Sequence, residues 1–342
     1  MVDHFIVDRR VWWAFVGELS RQRRVYAPLR EGEEVVYRLL QPTDEVRWDR
    51  LPTAVSARGV LLPQRETLFH FRTQDRQIRL EVPPPEPASL ILGLAPCDAR
   101  AWCVLDRIFA TPEWTDIYYV TRRQQTAIVS VACLHPQATC FCTQVGGDPF
   151  GREGSDLFVV DLGEQYLVEA LTPTGRELVS NVSWPLATPQ HRAQAEQLAA
   201  QARGRLPAPA QPLAFAQGEL SRQLLEAPLW ASLASRCLGC GICGYICPTC
   251  RCFDIVDEER CPGCGERVRN WDSCQFACYT LEASGHNPRP SRRERFRQRI
   301  LDKFVYLPVQ ANVLGCVGCG RCIRACPVNI DVREVVDEIR SL

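Results

Sequence analysis

Lysine is almost absent from this chain: Lys303 is the only one, and the rest of the basic side is arginine. That bias suits a GC-rich coding sequence and assigns no function. Histidine is also scarce, five residues at 4, 70, 135, 191 and 286, and they form no cluster. With no HExxH, no GxGxxG after a strand, no GxxxxGK[ST] and no GxSxG, nothing announces a catalytic centre of the chain's own. Basic and acidic residues balance at 40 each, so no global field favours nucleic acid or an anionic membrane surface. No apolar run approaches the ~20 residues that span a bilayer. The opening MVDHFIVDRRVWWAF has no basic stretch followed by an apolar one and a small-residue cleavage site, so no secretory signal is expected.

What the chain has in excess is cysteine. There are 19, an odd number that excludes complete disulfide pairing, and 14 of them lie between Cys237 and Cys326 in repeated CxxC spacings. That is metal-site usage, and it implies a reducing cytoplasm in which thiols stay free. The length of 342 residues, with 46% hydrophobic and 23% charged residues, is that of a globular protein of about two domains.

Apolar positions Val11, Trp12, Phe15, Val16 and Leu19 recur at helical spacing within residues 9–24, and residues 34–40 read as a strand. Two continuous apolar runs, Ser89–Ala95 and Thr126–Ala132, predict strands buried on both faces of a central sheet. Asp98 is placed to cap the helix that follows the first run, and residues 156–170 read as a hairpin around Gly163. A helix over about 190–205 leads into the Pro/Ala stretch at 207–214, which reads as a linker. The expected organisation is an α/β N-terminal domain over 1–205 and a linker with short helices over 206–236. A C-terminal ferredoxin-like α+β or irregular domain follows over 237–342, with an insertion at 249–315.

The chain contains one internal repeat. Cys237-Leu-Gly-Cys240-Gly-Ile-Cys243-Gly-Tyr-Ile-Cys247-Pro248 is matched cysteine for cysteine by Cys316-Val-Gly-Cys319-Gly-Arg-Cys322-Ile-Arg-Ala-Cys326-Pro327. CxxCxxCxxxCP is the bacterial-ferredoxin run, whose first three thiolates serve one [4Fe-4S] cluster and whose fourth serves the companion. The motif therefore assigns one cluster to Cys237, Cys240, Cys243 and Cys326, and a second to Cys316, Cys319, Cys322 and Cys247. Gly239, Gly241, Gly318 and Gly320 allow backbone N–H groups to approach sulfur. Zinc closes with paired CxxC motifs and has no use for such triplets.

Two further thiol groups are less determined. Cys97 and Cys133 each follow a predicted strand, where ligands collect at the carboxyl end of a parallel sheet, and Cys140 and Cys142 lie in the next loop. These four are candidates for a third [4Fe-4S] cluster, with zinc or unmetallated thiols as alternatives; Cys103, inside a helix, reads as a small hydrophobe. His135 reads as a loop histidine held by a hydrogen bond. Within the insertion, Cys261-Pro-Gly-Cys264 has the turn of a zinc knuckle, which Cys250 and Cys252 or Cys274 and Cys278 would complete. Zinc, another iron–sulfur site and free thiols all stay open for these six. From His286 to Phe304 seven basic residues face two acids, readable as a solvated helix face or as a docking surface.

The motifs at 97–109, 133–142, 237–255, 269–276, 283–290, 295–306 and 315–331 resemble the beta subunits of cytoplasmic sulfhydrogenase-type nickel–iron hydrogenases. They are more distantly similar to the electron-carrying iron–sulfur subunit of anaerobic sulfite reductase. The resemblance implies an iron–sulfur electron carrier without a substrate site. It would work between the clusters of a hydrogenase small subunit, itself paired with a large subunit, and a flavin subunit that reacts with NAD(P). Any flavin or nickel site would belong to those partners. The corresponding iron–sulfur subunit of anaerobic sulfite reductase, or a non-catalytic iron–sulfur scaffold or regulatory protein, is the alternative. Cys261-Pro-Gly-Cys264 departs from the family pattern.

Overall fold

A computed structural model describes residues 3–75, 77–208 and 222–341; most of the expected Pro/Ala linker lies outside them. The N-terminal half is built on a mixed seven-stranded sheet. Its strands are β1 (Asp3–Asp8), β2 (Arg24–Glu31) and β3 (Glu34–Leu39), then, after β4 (Arg65–Gln74) and β5 (Gln77–Glu81), β6 (Ser89–Leu94), β7 (Thr126–Val131), β8 (Leu157–Asp161) and β9 (Gln165–Ala170). They run in the order β1-β9-β8-β7-β6-β2-β3. The inner strands β2, β6, β7 and β8 are parallel, while β3, β9 and β1 join antiparallel at the edges.

Every residue of β6 and β7 is buried, as two covered faces require. Leu90, Leu92, Ala127 and Val129 face the helix Arg9–Gln22 through Trp12, Val16 and Leu19, while Ile91 and Ile128 face Trp102 and Leu105 of the helix Pro96–Phe109. Alternation along each strand thus divides one apolar run between two cores. A third helix, Pro189–Gly204, lays Ala195, Ala199 and Ala202 against Phe158 and Val160.

The second sheet joins the two halves of the chain. β10 (Phe253–Cys261) and β11 (Cys264–Trp271) form a hairpin inside the insertion, and β11 pairs antiparallel with β4 to give the order β10-β11-β4-β5. Nothing in the local pattern of either segment announces this partner. Residues 224–234, within the segment read as a linker with short helices, bury Leu224, Trp230 and Leu233 in a core with Phe296, Ile300 and Val336. No described helix is long and apolar enough to cross a membrane.

Asp98 corrects the expected helix cap. Ala95 occupies the N-cap position, and the Asp98 carboxylate instead accepts from both terminal nitrogens of Arg321 at 2.6 Å. Arg321 lies in the second cysteine repeat and is fully buried, and its Nε donates to Thr53 O at 2.7 Å. Removing one partner leaves the other charge unpaired out of water, so Asp98→Ala should lower stability by about 3–5 kcal/mol. Asp98→Ala/Arg321→Met should recover much of that loss. Urea unfolding of both variants under anaerobic conditions measures it, and equal losses would show that the cost does not come from an unpaired Arg321 charge.

Candidate metal centres

The two cysteine repeats adopt one local structure. Gly239, Gly241, Gly318 and Gly320 all have positive φ, between 67° and 77°, and each loop runs into one helical turn, Ile242–Tyr245 or Arg321–Arg324. The turns aim amides at sulfur: Gly239 N donates to Cys237 Sγ at 3.3 Å, and Gly318 N to Cys316 Sγ at 3.5 Å. Ile330 N donates to Cys326 Sγ at 3.3 Å. Such N–H···S contacts stabilise thiolate over thiol.

Cys237, Cys240, Cys243 and Cys326 line one cavity, and Cys247, Cys316, Cys319 and Cys322 line a second. Each cavity thus gathers three thiols of one repeat and the last of the other. Cys322, Arg299 and Ile300 belong to both walls. No group of three or more His, Cys, Asp or Glu among the described residues could hold a single metal ion.

The electrostatics are those of buried sulfur. Desolvation pushes Cys316 up to about 12, and it also raises Cys237, Cys319 and Cys322. Thiols so raised lose their protons to a metal rather than to water. Cations stand ready for the resulting charge. Arg299 Nη1 donates to Cys250 Sγ at 3.3 Å, and no described carboxylate pairs with it. Lys303, the single lysine, is buried on a π-helical turn, Asp302–Tyr306, with Nζ 3.0 Å from Thr249 Oγ1. Burial opposes its charge, but Cys247 and Cys250 outweigh that and hold its pKa above the ordinary value. Composition alone had marked Lys303 as rare without showing where it lies.

The N-terminal thiols are drawn together beside this pair. Cys97, in the first turn of the helix after β6, and Cys133, just beyond β7, lie past the carboxyl ends of parallel neighbours, and Cys133, Cys140 and Cys142 are buried. Desolvation raises all four thiols, Cys142 to about 12, with Cys140 and Cys142 acting on Cys133, and Cys319 and Cys140 acting on Cys97. The Cys140 Sγ lies 3.7 Å from Cys319 O, and Phe141 N donates to Gly318 O at 2.8 Å. This loop therefore docks directly on the second cavity's loop. His135 is held by Arg205, which also donates to Leu134 O.

The insertion cysteines divide. Cys261 and Cys264 are bonded to each other at the tip of the β10–β11 hairpin. Cys250, Cys252 and Cys274 line a cavity at its base; the nine-residue β10 separates the groups by roughly 26 Å, so they do not complete a zinc knuckle together. Much of the arginine run is tied to backbone of other segments. Arg293 donates to Glu226 O, Arg295 to Gln275 O and Pro290 O, and Arg297 to Leu225 O. All but Pro290 O are backbone carbonyls distant in sequence, which no motif could have named.

Residues 236–330 match the family described as the 4Fe-4S dicluster domain. The C-terminal region is thus similar to 4Fe-4S dicluster domains. Nearly the whole chain is similar to Sulfhydrogenase 2 subunit beta of Pyrococcus furiosus, with 29% identity over 339 residues, 96% of this chain and 95% of that one. The resemblance drawn from the motifs is thereby borne out. No solved structure matches the chain.

The contact between the dicluster domain and the 139–142 loop gives a direct test. A Cβ on Gly320 would sit 2.3 Å from Thr139 O, at a φ of +68°. Gly320→Ala should therefore cost about 1–3 kcal/mol from backbone strain alone. Gly17, in the helix Arg9–Gln22, has nothing within 4 Å of an added Cβ, so Gly17→Ala should stabilise by about 0.4–1 kcal/mol. Thermal unfolding of the two variants should move in opposite directions.

Proposed function

We propose that this chain is the iron–sulfur electron-transfer subunit of a cytoplasmic nickel–iron hydrogenase complex. It would relay electrons between the hydrogenase small subunit, paired with its large subunit, and a flavin subunit that reacts with NAD(P). Two [4Fe-4S] clusters are assigned to the crosswise sets of the dicluster domain, Cys237, Cys240, Cys243 and Cys326, and Cys316, Cys319, Cys322 and Cys247. A third is assigned to Cys97, Cys133, Cys140 and Cys142. Bound clusters of this kind supply one-electron redox chemistry at potentials tuned by charge, N–H···S bonding and exposure.

Contiguity is the observation that carries the reading. The two dicluster cavities share Arg299, Ile300 and Cys322 in their walls, and the Cys140 sulfur touches the backbone of Cys319. The row reaches the surface at both ends. Cys240 is exposed, flanked by Leu238 and Ile242, apolar side chains 58% and 39% exposed. Such exposed apolar side chains beside a redox site suit a partner protein. At the other end Cys133 lines a cleft of about 820 Å³ that also includes Trp13, Trp48 and His135. The chain's residues hold sulfur, exclude water and supply compensating cations. No motif for flavin, nickel or nucleotide binding accompanies them.

A relay has its own mutational signature. In the assembled complex carrying Cys322→Ser, H2-dependent NAD(P) reduction should collapse while NAD(P)H oxidation by an artificial acceptor at the flavin subunit persists. Full coupled activity in an assembled, cluster-deficient variant would contradict the relay. A native complex containing siroheme and no nickel would move the assignment to sulfite reductase.

A further inference from the structure

We infer that Cys250, Cys252 and Cys274 hold an iron–sulfur cluster of their own, in the cavity at the base of the β10–β11 hairpin. The cavity encloses about 560 Å³. Its thiols come from two stretches that the hairpin brings together: Cys250 and Cys252 immediately precede β10, Cys274 follows β11, and Asp272 N donates to Cys252 O at 3.0 Å to close the base. Cys250 and Cys274 are buried, and Cys252 is partly so. Cys278, the remaining cysteine nearby, is not among the residues that line the cavity, so three thiolates are the ligand set.

Charge decides the class of occupant. Arg251, Arg289, Arg299 and Lys303 line the cavity, with Asp302 as its one carboxylate. Arg251 already takes Asp302 in a two-pronged pair at 2.8 and 3.1 Å, and Lys303 reaches it only at 3.9 Å. Arg299 turns to the Cys250 sulfur instead. Cations facing a cavity with too few carboxylates call for an anion, and thiolates ligating a cluster supply one. With three cysteines, one iron would face the cavity without a cysteine ligand. The site adjoins the dicluster domain, because Cys250 hydrogen-bonds Cys247.

The full-length chain, reconstituted anaerobically, tests the inference by iron, sulfide and zinc content together with EPR of the reduced protein. Cys252→Ser/Cys274→Ser should lose about four irons and four sulfides, as for one [4Fe-4S] core, while retaining the dicluster signals. Cys319→Ala should lose iron separately, and its failure to do so would count against the dicluster assignment alone. Unchanged iron in the double variant, or zinc lost in place of iron, overturns the fourth site. Should the double variant not fold by circular dichroism, the wild-type chain decides. Cyanide, added as a ligand for an iron lacking cysteine, should shift one cluster signal, and an unshifted spectrum overturns the inference.

Discussion

Charged sulfur has to be taken out of water, and most of the structure answers to that requirement. A thiolate in a dry site is expensive unless amide groups and cations replace its hydration. Here the amides come from paired loops whose glycines have positive φ, and the cations from Arg299, Lys303 and Arg321. Arg58 belongs to the same set: buried, it donates to Gly244 O and Cys250 O and lies 3.5 Å over the Trp271 ring. An arginine in this role keeps its charge at any physiological pH.

The same requirement explains why the two halves of the chain are inseparable in packing. Arg321 stands between two cysteines of the second repeat, yet its carboxylate is Asp98, one residue beyond Cys97 in the first turn of the helix that follows β6. One buried ion pair thereby fixes the carboxyl edge of the N-terminal sheet against the dicluster domain. Gly318 and Gly320 leave room for the 139–142 loop to complete the contact. Pairing of β4 with β11 adds a second seam. Proximity of the thiol groups is thus built into the fold and does not depend on mobile segments.

What could be read from the sequence was what is local. The repeated cysteine spacing specifies a loop, a turn and a crosswise exchange of the last thiol, and the cavities gather those same eight residues. The buried strands β6 and β7, the helix Arg9–Gln22 and the hairpin at Gly163 likewise follow from short-range pattern. Asp98 misled because a helix-start acid is usually a cap, and its true partner lies far along the chain. The arginines from 293 to 299 could not be placed from sequence for a related reason, since acceptors such as Glu226 O, Leu225 O and the Cys250 sulfur come from other segments. Pairing between β4 and the insertion has no local signature at all. Lys303 shows the limit of composition: being the only lysine said nothing of its burial beside Cys247 and Cys250.

The central claim is that several clusters lie next to one another in this one chain. Its most direct measurement is the EPR spectrum of the full-length, anaerobically reconstituted chain at full reduction. Adjacent paramagnetic clusters should interact, broadening and splitting the spectrum relative to a partly reduced sample in which isolated signals dominate. A fully reduced spectrum that is the plain sum of isolated cluster signals would contradict the account.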